Sequence, residues 1–190
     1  MSNGMVIIMV KKFLGQFSAY QLMVIALLAA MGIAVKSVIT PLVHMLTGPL
    51  YIPGGAVAGG IYMPFLVLTI SLTGKRGSAF FCGFCQGLMV LITGMGGSHG
   101  VLSIVSYPLT GLAVDLLMLV LRHRGCCLLC CFFGGIAANL TGTLIVNAAF
   151  FEMPALPLAL SLVAAALSGG LGGALAWLFT KQLRKLRVIK

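Results

Sequence analysis

The chain has 190 residues, of which 61% are hydrophobic and only 7% are charged. A soluble domain carries about 45–50% apolar and about 25% charged residues, so this composition excludes an ordinary soluble globule, and equally a disordered or collagen-like chain. The 12 Lys and Arg residues stand in short runs between apolar stretches, which is typical of charges that orient membrane helices and not of a nucleic-acid-binding surface. We therefore expect one integral membrane domain over residues 1–190.

Six apolar stretches are long enough, or nearly so, to cross a bilayer as helices, which takes about 20 residues each. They predict an all-α bundle with spans at about 19–39, 54–72, 78–93, 101–121, 126–151 and 156–180. The third span is short. Pro64 inside the second should kink it, because proline removes one backbone hydrogen bond. A β-barrel is not expected, since the apolar residues are consecutive and do not alternate.

The basic residues indicate how the bundle lies in the membrane. Eleven of the 12 precede the first span or follow the second, fourth and sixth, whereas the predicted loops 40–53, 94–100 and 152–155 contain none. By the positive-inside rule, both termini are then cytoplasmic. We expect no removable signal peptide, because the apolar run after Lys12 is longer than a signal peptide's apolar region.

Small residues recur four positions apart, a spacing that lets helix backbones approach closely in lipid. The repeats are Gly55 and Gly59, Gly83 and Gly87, Gly169 and Gly173, and the triplet Ala26, Ala30 and Ala34. We expect most of them to be contacts inside the bundle. One of them could instead form a docking face for another membrane protein.

Enzymatic chemistry is not expected. Gly74-Lys75 lacks the preceding glycine of a phosphate-binding loop, so any ATP hydrolysis would belong to another subunit. Ser98 and His99 are adjacent, but the only Asp, Asp115, lies far down the fourth span, where it could not orient a catalytic histidine. No cofactor site is apparent. Asp115 lies seven residues before Arg122, about 10 Å inside it by helical rise, and we expect it to pair with a basic loop residue.

Six cysteines form two groups near the side predicted to be cytoplasmic, where thiols stay reduced. The groups are Cys82 and Cys85, and Cys126, Cys127, Cys130 and Cys131. They are too far apart in sequence for the usual spacing of a zinc site. We favour a role as small apolar residues and expect no metal, with a metal-handling or redox role as the alternative.

Polar residues follow two of the helices in their outer halves. They are Ser103, Tyr107 and Thr110 on the fourth span, and Asn139, Thr143 and Asn147 on the fifth, leading to Glu152 in the outer loop. Hydrocarbon cannot satisfy such groups, so they either bond to each other between helices or face one cavity open to the outside. We favour the cavity, since no matching stripe exists on the inner side.

Lys36 is the only basic residue away from the cytoplasmic side, near the outer end of the first span. It could snorkel outward or face the cavity, and an ionisable residue within the membrane favours the cavity. The outer loops carrying Tyr51 and His99 suit gates over a site. His44 is expected to be a solvated loop residue.

This pattern resembles the substrate-binding S component of an energy-coupling factor (ECF) transporter. The resemblance rests on six helices with both termini inside, on the outer polar stripes under loops, and on Ala26-x-x-x-Ala30 with Ala34. Three further stretches are similar to the thiamine and hydroxymethylpyrimidine group: Gly48-Pro49, Gln86-Gly87 and Gly111-Leu112-Ala113-Val114-Asp115.

The resemblance implies binding without catalysis, in a bacterial plasma membrane. A vitamin-like or vitamin-precursor-like small molecule would be captured from outside, and the alanine triplet would dock on a transmembrane coupling protein that works with two ABC ATPases. The residues expected to bind the solute are Lys36, Tyr51, His99, Tyr107, Asn139, Thr143, Asn147 and Glu152. The alternatives are a structural membrane subunit without a ligand and the metal-handling or redox protein.

Overall fold

The computed structural model describes residues 15–50, 54–94, 100–123 and 125–185, and these are helical without any strand. The α-helices are α1 (Ala19–Thr47), α2 (Gly54–Tyr62), α3 (Pro64–Thr73), α4 (Ser78–Thr93), α5 (Ser103–Val120), α6 (Leu128–Val146) and α7 (Ala155–Lys185). Short 3₁₀ turns span Gly48–Leu50 and Gly100–Leu102, and a π-helical turn, Asn147–Phe151, extends α6. The predicted all-α architecture is confirmed.

Five segments of the described chain are long and apolar enough to cross a membrane, with α2 and α3 together counting as one. The sixth, α4, has 16 residues and rises roughly 24 Å, less than the hydrocarbon thickness of about 30 Å. Large apolar side chains such as Leu27, Val163 and Leu171 are more than half exposed on the flanks of the bundle. Such flanks suit contact with lipid, so the chain is a multi-pass membrane protein.

Helix α1 is longer than the sequence pattern predicts. It begins after Ser18, whose side chain forms a capping box with Gln21, and it continues through Pro41 to Thr47. The predicted end at residue 39 is therefore wrong, and the predicted loop over 40–53 is wrong for residues 40–47, which are helical. The residue before a proline is biased away from helix, but a proline inside a membrane helix is tolerated where neighbours satisfy the freed carbonyl.

Pro64 divides the second predicted span, as expected. Helix α2 ends at Tyr62 and α3 begins at Pro64, where proline at the first helical position loses no helical hydrogen bond. One helical i→i−4 hydrogen bond reaches into the break, from the Met63 amide to the Gly59 carbonyl (2.8 Å).

Glycines set the closest helix contacts. A Cβ on Gly135 of α6 would lie 2.8 Å from the Gly173 nitrogen of α7, and one on Gly83 of α4 would lie 2.9 Å from the Tyr107 carbonyl carbon of α5. No real side chain tolerates such distances. The spacing of small residues thus marks internal packing in α4 and α7, as the sequence indicated.

Several helix ends near basic residues lie together at one end of the bundle, where interhelical hydrogen bonds join them. Gln21 Nε2, at the start of α1, donates to the Thr73 carbonyl at the end of α3 (3.1 Å). Arg184 Nη2, at the end of α7, donates to the Ser71 carbonyl (3.2 Å). We call this the basic end of the bundle, and it is the end predicted to be cytoplasmic.

Asp115 lies near the basic end and caps a helix. Its two carboxylate oxygens accept hydrogen bonds from the backbone amides of Gly77 (2.9 Å) and Phe80 (2.7 Å), at the start of α4. Helix α4 has no N-cap side chain of its own, so Asp115 supplies the negative group that a helix N-terminus favours. Among the described residues Asp115 pairs with no basic loop side chain, in contrast to the expectation, because backbone amides satisfy its carboxylate.

Candidate functional site

A cavity of about 520 Å³ lies between α1, α2, α5 and α6, toward the end opposite the basic end. Small-molecule binding sites have volumes of about 300–1,000 Å³, and this cavity lies within that range. Six polar residues singled out in the sequence line it: Lys36, Tyr107, Thr110, Asn139, Thr143 and Asn147. Lys36 and both polar stripes thus meet around one space, except for Ser103, which is fully buried and does not line the cavity.

Lys36 places a positive group in the cavity wall with 7% of its surface exposed. Its Nζ donates to Tyr107 Oη (2.6 Å) and lies 4.6 Å and 5.2 Å from the ring centroids of Tyr107 and Tyr62. The sequence contains two acidic residues, and neither balances this charge: Asp115 caps α4, while Glu152 is exposed and does not line the cavity. A buried charge is costly unless it is paired, so this arrangement favours a ligand with a negative group.

Two hydroxyl groups in the cavity wall have no hydrogen-bond partner among the described residues. Thr40 Oγ1 and Ser106 Oγ are both buried, and both residues line the cavity. Buried polar groups in folded proteins are nearly always satisfied, by protein, water or a bound molecule. Both hydroxyls can donate a hydrogen bond to the same kind of acceptor that Lys36 favours.

The extension of α1 creates part of this wall. Lys36, Thr40 and His44 lie four residues apart along one face of the helix, and all three line the cavity. His44 lies within α1, so the expectation of a loop residue is wrong, although His44 is exposed as expected. Its Nδ1 accepts a hydrogen bond from the Gly54 amide (3.3 Å). The i, i+4, i+8 spacing would have revealed Thr40 and His44 if the helix had been continued past Pro41.

Asn139 lines the cavity but also joins three helices. Its Nδ2 donates to the Ala56 carbonyl of α2 and to the Ala165 carbonyl of α7, both at 2.9 Å, and the residue is 1% exposed. Both amide hydrogens are therefore used inside the bundle. Asn139 holds the wall in place and has only its oxygen to offer to a solute.

Asn147 begins the π-helical turn at the end of α6. Its Oδ1 accepts a hydrogen bond from the Met153 amide (3.0 Å), which fixes the side chain while the amide NH₂ stays available to the cavity. π-turns within helices are frequent at functional sites. Thr143 lies one turn earlier and also faces the cavity, with 8% of its surface exposed.

One predicted binding residue, Glu152, does not line the cavity, and two others lie outside the described part of the chain. Glu152 follows the π-turn in a left-handed backbone conformation and is exposed away from the cavity lining. Tyr51 and His99 lie outside the described residues. Their predicted role as loop gates stays a prediction.

The alanine triplet faces outward from the bundle. Ala26 and Ala34 are exposed and Ala30 is partly exposed, beside the exposed side chains of Met23 and Leu27. On α1 the buried residues lie on a different face, so this triplet does not pack in the core. A flat outward stripe of small residues is compatible with docking of another membrane helix.

The cysteines fall into different environments. Cys82 and Cys131 are fully buried, which agrees with a role as small apolar residues. Cys127 and Cys130 are joined by a disulfide, against the expectation that thiols on this side stay reduced. Cys126 is exposed next to His123 in the turn before α6.

Comparison with known proteins places this geometry in a family. Residues 20–141 match the family described as ABC-type cobalt transport system, permease component. The fold is similar to a solved structure described as the crystal structure of an S-component of ECF transporter, with a TM-score of 0.77 and 18% identity over 90% of this chain and 88% of that one. No curated protein sequence matches the chain significantly. The chain therefore belongs to the family of permease components of ABC-type cobalt transport systems, which are transport proteins and not enzymes, and it has the fold of an ECF transporter S component.

Proposed function

We propose that the chain is the substrate-binding subunit of an ECF-type importer and captures a small solute from outside the cell. Family membership, the S-component fold and the 520 Å³ cavity support this proposal. The cavity lies opposite the basic end of the bundle, which the positive-inside rule assigns to the cytoplasm. A solute would therefore enter from the outer side.

The observation that carries the proposal is the unbalanced positive charge of Lys36 beside two unpartnered hydroxyls. Lys36 Nζ, Thr40 Oγ1 and Ser106 Oγ are all hydrogen-bond donors in the wall of one cavity. Charge-assisted hydrogen bonds are the strong ones, and a carboxylate or phosphate could accept from all three groups. We therefore expect an organic solute with a negatively charged or acceptor-rich group at this wall.

The positive charge of Lys36 restricts which of the vitamin-like solutes implied by the sequence resemblance would suit the cavity. Thiamine carries a positive charge, which would lie in the same cavity as Lys36 and repel it. A neutral or negatively charged solute, such as a vitamin precursor or an acidic vitamin, suits the wall better. The apolar part of the lining, including Met63 and Val146, would contact the remainder of the molecule.

A cobalt ion is a second candidate, because the family description names a cobalt transport system. Divalent transition metals favour imidazole, thiolate and carboxylate ligands. Among the described lining residues, His44 is the only one of these, and Lys36 adds a like charge. The cavity itself therefore favours an organic anion over a bare cation.

The proposed partners are a transmembrane coupling protein and two ABC ATPases. The sequence contains no phosphate-binding loop, so energy must come from another subunit. The outward stripe of Ala26, Ala30 and Ala34 on α1 is the proposed docking face. A purely structural subunit would explain the interhelical hydrogen bonds of Asn139. It would not explain the buried charge of Lys36 or the two unpartnered hydroxyls in the cavity wall.

Native mass spectrometry tests the proposal on gently purified protein. We expect the wild-type chain to retain one organic molecule, and Lys36→Met to lose it. Lys75→Met, which removes an exposed charge at the basic end, is the matched control and should retain the molecule. Stoichiometric cobalt in place of an organic molecule would support the second candidate, and equal retention by both variants would contradict the role of Lys36.

A further inference from the structure

The turn between α5 and α6 brings together four metal-ligating side chains. His123, Cys126, Cys127 and Cys130 each offer one nitrogen or sulfur atom, and these four atoms lie within 4.8 Å of one another. His123 Nδ1 lies 3.1 Å from Cys126 Sγ. We call these four residues the thiol–imidazole cluster. It lies at the basic end, remote from the solute cavity.

The backbone of the turn holds the cluster in position. Arg122 and Gly125 both adopt left-handed conformations, with φ of 55° and 71°, and they reverse the chain between the two helices. The His123 amide donates to the Met118 carbonyl (3.1 Å). A Cβ on Gly125 would lie 3.0 Å from Ser71 Cβ, so the turn packs tightly against α3. Tight packing of the turn thus fixes the positions of the four residues of the thiol–imidazole cluster.

The start of α6 favours thiolates at the cluster. Cys127 is the N-cap residue, and its Sγ accepts a hydrogen bond from the Cys130 amide (3.3 Å). The partial positive charge of a helix N-terminus stabilises negative groups and promotes the thiolate form of cysteine. Thiolate sulfur is the form that binds metal ions.

Three sulfur atoms and one imidazole nitrogen are the donor set of a structural zinc site. With Zn–S bonds of about 2.3 Å in a tetrahedron, ligand sulfurs lie about 3.8 Å apart. The four donor atoms already lie within 4.8 Å of one another, so small side-chain rotations would suffice. Cys127 and Cys130 have the C-x2-C spacing of one ligand pair of a structural zinc site, and the turn brings His123 and Cys126 beside them.

The disulfide between Cys127 and Cys130 represents the oxidised form of this cluster. Two equivalents of a small cytoplasmic thiol would reduce it to two cysteine thiols and leave as their own disulfide. A divalent ion then displaces the thiol protons as it binds. Reduced thiols are the normal state in the cytoplasm, where the positive-inside rule places this turn.

We propose that the reduced thiol–imidazole cluster binds one zinc-class divalent ion and ties the α5–α6 turn to the start of α6. The proposal does not depend on solute transport, since the cluster and the cavity share no residue.

Metal analysis of the full-length chain tests the site. The protein would be purified in detergent under reducing, anaerobic conditions, loaded with Zn²⁺, and freed of excess metal before the zinc content is measured. We expect one Zn²⁺ per chain in the wild type. Cys126→Ser changes an exposed ligand, so it should fold, and it should lower zinc affinity at least tenfold, since even residues that only orient a ligand contribute about 10–100-fold.

Cys85→Ser is the matched control, because Cys85 is partly buried on α4 and outside the cluster. This variant should bind zinc as the wild type does. Absence of zinc from the reduced wild type, or equal loss in both variants, would overturn the proposal. A Cys127–Cys130 disulfide that persists in reduced protein, shown by a thiol count two below the expected number, would overturn it as well.

Discussion

Replacing Asn139 tests whether this residue stabilises the helix bundle. Its side chain donates to backbone carbonyls of α2 and α7, so Asn139→Ala removes both interhelical hydrogen bonds, those to Ala56 and to Ala165. Interhelical hydrogen bonds in membranes average about 0.6 and reach about 1.7 kcal/mol, so two of them predict a loss of about 1–3 kcal/mol in the free energy of unfolding.

Denaturant titration in detergent micelles measures this loss. Trp177 is the only tryptophan and packs against the core, so its fluorescence reports unfolding. Thr143→Val is the control, because Thr143 lies one turn away on the same helix and lines the same cavity. If Asn139→Ala is no less stable than Thr143→Val, Asn139 does not join the helices as described.

Three other changes test the remaining parts of the account. A cysteine at Ala155 should react with an impermeant reagent added to whole cells, whereas one at Lys75 should not, in a background without native cysteines; the reverse pattern would invert the orientation. Ala30→Leu should abolish uptake with solute binding to the isolated subunit nearly unchanged, because a larger side chain keeps a partner helix away. Ala164→Leu, at a partly exposed alanine on α7, is its control, and equal loss in both variants would argue against a docking face. Asn147→Leu should weaken solute binding by about 1–3 kcal/mol, measured by calorimetry, because it leaves a solute group unpaired; a change in thermal stability alone would make Asn147 structural.

The helices and the polar stripes were predictable because both depend on local sequence. A run of consecutive apolar residues marks a membrane helix by local sequence alone, and α4, although short, begins and ends at the predicted residues. The spacing of Tyr107 and Thr110, and of Asn139, Thr143 and Asn147, places each set on one face of a helix. Those faces line the same cavity in the structure.

The parts that could not be predicted depend on contacts between distant segments. Pro41 marks a helix end by its local preference, but α1 continues through it, and this brings Thr40 and His44 into the cavity wall. Asp115 carries a charge that suggests a basic partner, yet it caps α4, which only the packing of α5 against α4 reveals. The gathering of His123 with three cysteines likewise depends on a turn with two left-handed residues.

The central claim is that Lys36 receives the negatively charged or acceptor-rich group of an organic solute in the cavity. An experimental structure of the chain purified with its retained molecule tests this most directly. We predict density for one organic molecule in the cavity, with an oxygen atom of that molecule within hydrogen-bonding distance of Lys36 Nζ and of a hydroxyl of Thr40 or Ser106. A molecule bound elsewhere, or a metal ion in the cavity held by His44, would contradict the account.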